Sequence, residues 1–341
     1  MSPVPTKKTT VPANLPRTAV LLALLVAAVA VVVPALDSAR TDSPSPGPGP
    51  AGGPSSGLER RLSAYATEVV ADSRFRPPDR AEREALAEGV ALYVDGEHEK
   101  GERRLAEVDF GVRIVRDTPR DGDGPGRRYA EIADRTQETR RGWGRVYIDL
   151  DTAPRYSVQV PHPVADAYTD RLGAGVLRGA PGGILVIAGA HRRAGEGDAA
   201  DVAHRRDTVF HAVAAALVDR SIPGIQVHGY ADSTVPGRDL VVSTGAGDRA
   251  RSQARTLASA LDDDGFQVCR AWEEKCPLEG RNNKQGRLAA DEGVPFLHVE
   301  VNRTVRGDAA RTDRAVAAMA AAVREWGAGN SPADDPPAGA Q

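Results

Sequence analysis

Cysteine is scarce in this chain of 341 residues, which contains only Cys269 and Cys276. Two cysteines are too few for a cysteine-based zinc site or a dense disulfide scaffold, so any metal must be held by histidine and carboxylate. An excess of positive charge is also missing, because 44 Lys and Arg face 47 Asp and Glu. Since phosphate neutralisation dominates nucleic-acid affinity, we expect no nucleic-acid partner. The SxxK and P-loop motifs are absent as well.

Residues 1–36 have the pattern of a signal peptide or signal anchor. Lys7, Lys8 and Arg17 precede an uncharged run rich in Leu, Val and Ala from Ala19 to Ala35, which is the order found in targeting segments. The run is short for a spanning helix, so cleavage and membrane anchoring both stay open. Because the basic residues precede the run, we expect an extracytoplasmic protein, secreted or anchored by a single N-terminal transmembrane segment.

Composition divides the remaining chain into four parts. Residues 37–57 are rich in Pro, Gly and Ser and predict a linker, and residues 327–341 predict a disordered tail. Residues 58–150 combine helical spacing with short β-like runs, which predicts a small α+β accessory region. Residues 151–326 alternate apolar strands with amphipathic helices. That alternation predicts an α/β fold, a three-layer α-β-α architecture with a mostly parallel sheet.

The individual elements follow from the same patterns. In the accessory region we expect helices within 58–94, broken at Pro77 and Pro78, and strands over 110–115 and 145–150. In the α/β region we expect strands over 156–160, 184–188, 225–228, 240–243, 266–269 and 295–301, and helices over 164–177, 200–219, 248–263 and 308–326.

Two histidines stand at the carboxyl ends of predicted strands, where α/β sheets place their sites. His162 follows the strand YSVQVP, and His228 ends the strand GIQV. Zinc in hydrolases prefers two histidines and one carboxylate, with one position left for water. Asp166 is the candidate third ligand, and Asp170 is the alternative. The competing interpretation is that the histidines are structural and that Asp166 is a charge at a helix N-terminus.

An acidic residue interrupts the last predicted strand, VPFLHVEVN. Burying the unpaired carboxylate of Glu300 is costly, so it needs a partner. It could be a general base and acid acting on a water and a leaving amine, or it could form a buried ion pair with Arg303 or Arg306. His298 lies on the same side of a regular strand and is a second catalytic candidate.

Together these motifs resemble the zinc-dependent amidohydrolases of the zinc-exopeptidase superfamily. That superfamily includes N-acetylmuramoyl-L-alanine amidases, N-formylglutamate amidohydrolases, poly-γ-glutamate hydrolases and zinc carboxypeptidases. The resemblance spans roughly residues 158–323 and rests on the His162 motif, on VHGYADS and on FLHVEVNR. It implies that His162 and His228 bind zinc and that Glu300 is the acid and base. The chain departs from the carboxypeptidase pattern His-x-x-Glu, because Ala165 occupies the last position and Asp166 follows.

Further polar residues are candidates for the surroundings of the site. Arg192 follows another strand, GGILVIAGA, at a position where the resemblance implies a substrate-binding arginine. His191 and His204 could orient the metal ligands. His204 and His211 are spaced to share one face of the predicted helix, and packing of that face toward the cleft is favoured over a second metal site.

The segment CRAWEEKCPLEGRNNKQGR contains both cysteines, Cys269 and Cys276, which outside the cytoplasm predict a disulfide. The basic, amide-rich run that follows suits a substrate carboxylate, because arginine recognises that group with two hydrogen bonds. The substrate-binding candidates are Arg281, Asn282 and Arg287, joined by Arg303 near the last strand. The alternative is that this run is simply a solvated surface.

The sequence therefore predicts an exported, zinc-dependent hydrolase of an amide bond in a peptide or cell-wall-derived substrate. Two alternatives stay open. One is a non-catalytic extracytoplasmic module with the same fold that binds wall polymer through residues 281–287. The other is an esterase or deacylase that uses the same metal.

Overall fold

The computed structural model describes residues 57–71, 74–118, 126–135 and 141–328. These residues form nine helices and nine strands. The helices are α1 (Gly57–Ala71), α2 (Arg80–Val94), α3 (His98–Ala106), α4 (Thr169–Gly179), α5 (Val209–Val218), α6 (Arg251–Asp263), α7 (Lys284–Asp291), α8 (Arg303–Gly307) and α9 (Ala309–Ala328). The strands are β1 (Phe110–Asp117), β2 (Arg127–Asp134), β3 (Arg145–Asp149), β4 (Tyr156–Val160), β5 (Gly183–Ile187), β6 (Gly224–Tyr230), β7 (Leu240–Ser243), β8 (Val268–Arg270) and β9 (Phe296–Asn302).

The strands of the described residues form one mixed sheet in the order β1-β2-β3-β5-β4-β6-β9-β7-β8. Strands β5, β4, β6 and β9 run parallel to one another, and β8 runs parallel to β7. The pairings of β1, β2 and β3, including that of β3 with β5, are antiparallel, as is the pairing of β7 with β9. Strands β1–β3 of the predicted accessory region thus extend the sheet of the α/β region, and a domain boundary at residue 150 stays a prediction.

Helices cover both faces of this sheet. On one face Val227 of β6 belongs to an apolar cluster with Leu172 of α4 and Met319 of α9. On the other face Val186 of β5 belongs to a second cluster with Phe210 of α5. All inner strands are buried on both sides, but only β5 is a continuous apolar run; β4, β6 and β9 alternate apolar residues with buried polar ones. The predicted three-layer α/β fold class is confirmed.

Several elements differ from the sequence-based expectation. Helix α4 begins five residues later than predicted, because Tyr168 before it has a φ of 74°, which no right-handed helix contains. Helix α5 begins only at Val209, where the hydroxyl of Thr208 accepts a hydrogen bond from the backbone N–H of His211. Residues 163–168 and most of 200–207 therefore form turns. Elements α3, β2, α7 and α8 were not predicted.

The predicted localisation requires a correction. Among the described residues no helix combines the length and the apolar character needed to cross a membrane. The predicted localisation through an anchoring N-terminal transmembrane segment is therefore not supported by the structure. Residues 1–56, with the predicted signal segment and linker, and the tail from residue 329 lie outside the described residues.

Candidate metal centre

The central parallel strands bring the predicted site residues to one edge of the sheet. His162 lies just beyond β4, and β4 is paired with β6, which is paired with β9. Across the β6–β9 pair His228 lies directly opposite Glu300, and Gln226 lies opposite His298. Side chains two residues apart on a strand share a face. Gln226 and His228 therefore lie next to His298 and Glu300 on the same face of the sheet.

Three buried ligand groups converge at this edge. The Nδ1 atoms of His162 and His228 each lie 3.4 Å from the same atom, Oδ2 of Asp166. One ligand atom from each of these three residues can be chosen so that all lie within 4.8 Å of one another. All three are buried: His162 is 1% exposed, His228 is 5% exposed and Asp166 is 8% exposed. Asp170, the alternative carboxylate, instead accepts a hydrogen bond from Ser63 Oγ at 3.0 Å.

The outer nitrogen of each imidazole is held by another side chain. His162 Nε2 lies 2.9 Å from Asp201 Oδ1, and His228 Nε2 lies 2.9 Å from Gln226 Oε1. Both partners can accept, so each ring can place a proton on Nε2 at the outside, which leaves its Nδ1 facing Asp166. Fixing one ring nitrogen so that the other faces a cation is the arrangement seen around metal-binding histidines.

These donors fit a divalent metal ion. Two ring nitrogens and a carboxylate are the ligand set that zinc prefers in hydrolases. Without a cation or a proton among them, two lone pairs would face a carboxylate oxygen inside the protein. Furthermore, His162 Nδ1 is buried and forms no hydrogen bond among the described residues. An unsatisfied polar atom of this kind calls for a partner.

The electrostatics of the metal-free group reflect the same crowding. Burial opposes a charged ring at His162, but the carboxylates of Asp166 and Asp201 outweigh it and raise the pKa of His162. Burial also opposes the charge of Asp166, yet the two imidazoles lower the pKa of this carboxyl far below its ordinary range. At His228 burial prevails and lowers the pKa of the ring. The group therefore favours one positive charge beside Asp166, in the place that a cation would take.

Glu300 and His298 form the adjoining wall of the site. Atoms of His228, His298 and Glu300 also lie within 4.8 Å of one another, and His298 Nε2 lies 3.9 Å from Glu300 Oε1. Burial, with a contribution from Asp166, raises the pKa of Glu300 well above its ordinary value. Burial lowers the pKa of His298 far below its ordinary value. The surroundings thus favour the protonated form of Glu300 and the neutral form of the His298 ring.

Arg306 fixes the loop that carries Asp166 rather than neutralising Glu300. Its guanidinium is buried and donates to the backbone carbonyls of Val301, Tyr230 and Ala167, the residue after Asp166. No ion pair joins Glu300 to Arg303 or Arg306 within the described part of the chain. The guanidinium of Arg303 lies 4.4 Å from the ring centroid of Tyr168. The buried ion pair considered for Glu300 is therefore not present there.

The other predicted residues of the 191–204 segment surround Asp201. Arg192 Nη2 donates to Asp201 Oδ2 at 2.7 Å, and His204 Nδ1 lies 3.1 Å from the same atom. Both residues thus reach the site through Asp201, and His204 lies in a turn rather than on the predicted helix. His191 is half-buried and its Nδ1 accepts a hydrogen bond from the backbone N–H of Arg193.

The substrate-binding candidates of the cysteine-rich segment lie away from the metal ligands. Arg281 is exposed and pairs with Glu279, and Asn282 and Arg287 are also exposed. The buried neighbour Asn283 is the residue that reaches the site, with Nδ2 3.1 Å from His228 Nε2. The predicted disulfide is confirmed between Cys269 and Cys276, whose Cα atoms are 6.0 Å apart.

Sequence reasoning did not identify Asp201, Gln226 and Asn283 as site residues. A signal existed for Gln226, because an amide inside the apolar strand GIQVHGY two residues before His228 must share its face. Asp201 and Asn283 lie in turns far from the histidines in sequence. Only the folded chain shows that they contact those rings.

No family model and no curated protein matches the chain. Among solved structures it is similar to an N-formylglutamate amidohydrolase from Ralstonia eutropha, with 13% identity, 51% of this chain and 93% of that chain covered, and a TM-score of 0.37. It is also similar to a metallo-carboxypeptidase from Burkholderia cenocepacia, with 14% identity, 64% of this chain and 66% of that chain covered, and a TM-score of 0.35. A metallo-carboxypeptidase from Pseudomonas aeruginosa has 12% identity, with 67% of this chain and 68% of that chain covered, and a TM-score of 0.36. These neighbours are hydrolases, but likeness at this level is too distant to assign a family.

Proposed function

We propose that this protein is a zinc-dependent hydrolase that cleaves an amide bond in a peptide or cell-wall-derived substrate. One observation carries the proposal. Two imidazole Nδ1 atoms and the carboxylate of Asp166 meet at the edge of the sheet, with the buried carboxyl group of Glu300 on the neighbouring strand.

The residues that would hold the metal are His162, Asp166 and His228. A set of three protein ligands leaves one position open, as catalytic zinc sites do. The chemistry that zinc supplies in such a site is Lewis-acid activation of water and polarisation of a carbonyl group. Asp201 and Gln226 hold the outer nitrogens of the two rings, so the ligands are oriented before the ion arrives.

Glu300 is the residue that would move the proton. Its carboxylate oxygen accepts a proton from the attacking water and returns it to the departing nitrogen. This transfer matters most for an amide, because an amine leaves poorly without a proton. The pKa of Glu300 is raised in the metal-free protein because burial and the charge of Asp166 favour the protonated carboxyl group. A nearby divalent cation favours the carboxylate instead, which would bring the group into its working range.

Two neighbouring groups would assist without carrying the proton. His298 Nε2 lies 3.9 Å from Glu300 Oε1, and burial lowers the pKa of this ring, so it would donate a hydrogen bond to a developing negative charge without competing for the proton. Arg192, which is bonded to Asp201, adds a positive charge that opposes the raised pKa of Glu300. Its half-exposed guanidinium would also attract an acidic substrate group.

Hydrolysis with a defined metal content tests the proposal. Zinc-loaded wild-type protein is assayed on N-acyl, peptide and wall-derived amides beside matched esters. We expect amide cleavage that is lost on chelation and that falls about a hundredfold to ten-thousandfold in Glu300→Gln. The matched control is Glu292→Gln, at an exposed position after α7, which should retain full activity. A folded, zinc-loaded protein that cleaves only the esters would overturn the amide assignment. Wall binding that survives chelation, with no hydrolysis, would support a binding module instead.

A further inference from the structure

A chain of buried amide side chains runs beneath the candidate metal centre. Gln226 of β6 forms hydrogen bonds with Gln159 of β4 and with Gln285 of α7. Each of the three side chains is at most 2% exposed. We call these three residues the amide relay. An amide has distinct donor and acceptor ends, so its direction in such a chain determines which atom each neighbour meets.

One end of the relay is fixed by a backbone carbonyl. Gln285 Nε2 donates to Val202 O at 2.8 Å, and Val202 O can only accept. The same amide nitrogen lies 3.3 Å from Nδ1 of His211, a ring that burial keeps neutral by lowering its pKa to about 4. Nε2 of Gln285 therefore faces Val202 O and His211 and is not available to Gln226. Its oxygen faces Gln226 and accepts from Gln226 Nε2 at 3.2 Å.

The other end is compatible with the same direction. Pro223 O already accepts from the backbone N–H of Ser157 at 2.8 Å, and Ser157 Oγ lies 3.4 Å from the same carbonyl. The hydroxyl oxygen can therefore accept from Gln159 Nε2 at 3.3 Å. In that arrangement the oxygen of Gln159 faces Gln226 and accepts from Gln226 Nε2 at 3.1 Å. The carbonyl of Val202 thus fixes the direction of Gln226 through Gln285, and the contacts of Gln159 agree with it.

The orientation of the Gln226 side-chain amide determines whether its oxygen or its nitrogen faces His228 Nε2. With its nitrogen committed, Gln226 presents Oε1 to His228 Nε2 at 2.9 Å and to Asn283 Nδ2 at 2.6 Å. Asn283 Nδ2 also lies 3.1 Å from His228 Nε2, but it donates to the same Gln226 oxygen, which can accept from Asn283 and from a proton on His228 Nε2 together. The opposing contact, from His228 Nδ1 to Asp166 Oδ2, is 3.4 Å, which is longer than a normal hydrogen bond. The two distances therefore favour a proton on Nε2.

We infer that the amide relay is a positioning device that holds neutral His228 as the Nε2–H tautomer and keeps its Nδ1 lone pair directed toward Asp166. The role of that lone pair as a metal ligand rests on the proposed function. The tautomer itself does not, because the hydrogen bonds that select it belong to the metal-free chain. Gln159 and Gln285 touch no proposed metal ligand, yet both act on His228 through Gln226.

The tautomer can be read directly in the metal-free wild-type protein. Long-range proton–nitrogen correlation spectra of imidazole-labelled protein distinguish the two neutral forms, and the His228 signals are assigned by their loss in His228→Ala. We expect the Nε2–H pattern for the uncharged ring, because Gln226 presents an acceptor to Nε2. An Nδ1–H pattern in the wild type would overturn the inference, whether or not the protein binds zinc.

A double variant tests whether the relay sets the tautomer. Gln159→Met with Gln285→Met removes both acceptors that orient Gln226 while filling similar volume. We expect both His228 tautomers to appear and zinc affinity in a chelator competition to fall about tenfold or more. The control Lys284→Met introduces the same residue next to Gln285 and should change neither. A folded double variant with a single Nε2–H tautomer would refute the relay.

The two proposals fail in different ways. If wild-type His228 is the Nε2–H tautomer but the protein binds no zinc, the amide relay is supported and the proposed hydrolase is contradicted. If the protein binds zinc but His228 carries its proton on Nδ1 in the metal-free state, only the amide relay is contradicted.

Discussion

The buried carboxyl of Glu300 makes the stability of the metal-free protein fall as the pH rises. Glu300 is 7% exposed, and burial raises its pKa well above the ordinary value of 4.5. Between the unfolded and folded pKa values the folded state therefore holds one more proton than the unfolded chain. The stabilisation from the protonated group is complete below the unfolded pKa and is lost as the pH rises through the folded pKa.

The slope of this loss is set by one proton. Each pH unit within that window costs about 1.4 kcal/mol of unfolding free energy. Glu300→Gln keeps the shape and hydrogen-bonding capacity of the protonated acid but does not titrate. The difference in unfolding free energy between variant and wild type should therefore grow by about 1.4 kcal/mol per pH unit in the same window. Because both proteins share every other titrating group, the difference isolates Glu300.

Urea unfolding of both metal-free proteins, in chelator across the mildly acidic to neutral range, measures that difference. Glu292→Gln serves as the exposed control and should run parallel to wild type at every pH. A difference between Glu300→Gln and wild type that stays constant with pH would refute the reasoning, because it would mean that Glu300 is already ionised in the folded protein.

Three further predictions concern the surroundings of the site and the fold. Replacing Asp201 by Asn should weaken zinc binding about tenfold to a hundredfold in a chelator competition, because His162 loses the carboxylate that holds its Nε2. Replacing Cys269 and Cys276 together by Ser should lower the unfolding free energy in urea by about 2.5 kcal/mol, the chain-entropy value for so short a loop. Since His211 has its pKa lowered to about 4, the stability it contributes is complete above 6.5 and is lost as the pH falls toward 4, so His211→Gln should flatten acid destabilisation.

Each of these predictions has its own check. Asp198→Asn, at an exposed carboxylate three residues before Asp201, should leave zinc affinity unchanged. Equal affinities in the two Asn variants would contradict a role for Asp201. Equal stability of the double Ser variant and the reduced wild type is expected, whereas a double variant as stable as the oxidised wild type would show that the disulfide contributes nothing. Acid sensitivity that persists undiminished in His211→Gln would mean that other groups cause it.

Regular, apolar elements were predictable because their signal is local. The strands around Val158, Ile225 and Val299 are short segments rich in β-branched and other apolar residues, and their apolar positions pack into the core on one face of the sheet. His162, His228 and Glu300 stood out because each is polar at or near the end of such a run. The three-layer architecture followed from the alternation of strands with helices.

The missed features depend on contacts between distant segments. Strand β2 follows a turn-rich segment and is stabilised by pairing with β1 and β3 rather than by its own pattern. The turns around Asp201 read as a helix because their residues have helical spacing, yet Thr208 caps the helix only at Val209. Asn283 begins a short helix whose burial comes from packing in the folded chain. No local pattern tells which of Asn282 and Asn283 faces inward.

Metal content measures the central claim most directly. The full-length protein, stripped with chelator and reloaded with zinc, is analysed for bound metal beside Asp166→Asn and Asp170→Asn. The convergence of His162, Asp166 and His228 predicts one tightly bound zinc ion in wild type and Asp170→Asn, and a large loss in Asp166→Asn. Equal zinc content in wild type and Asp166→Asn, with both proteins folded, would contradict the account.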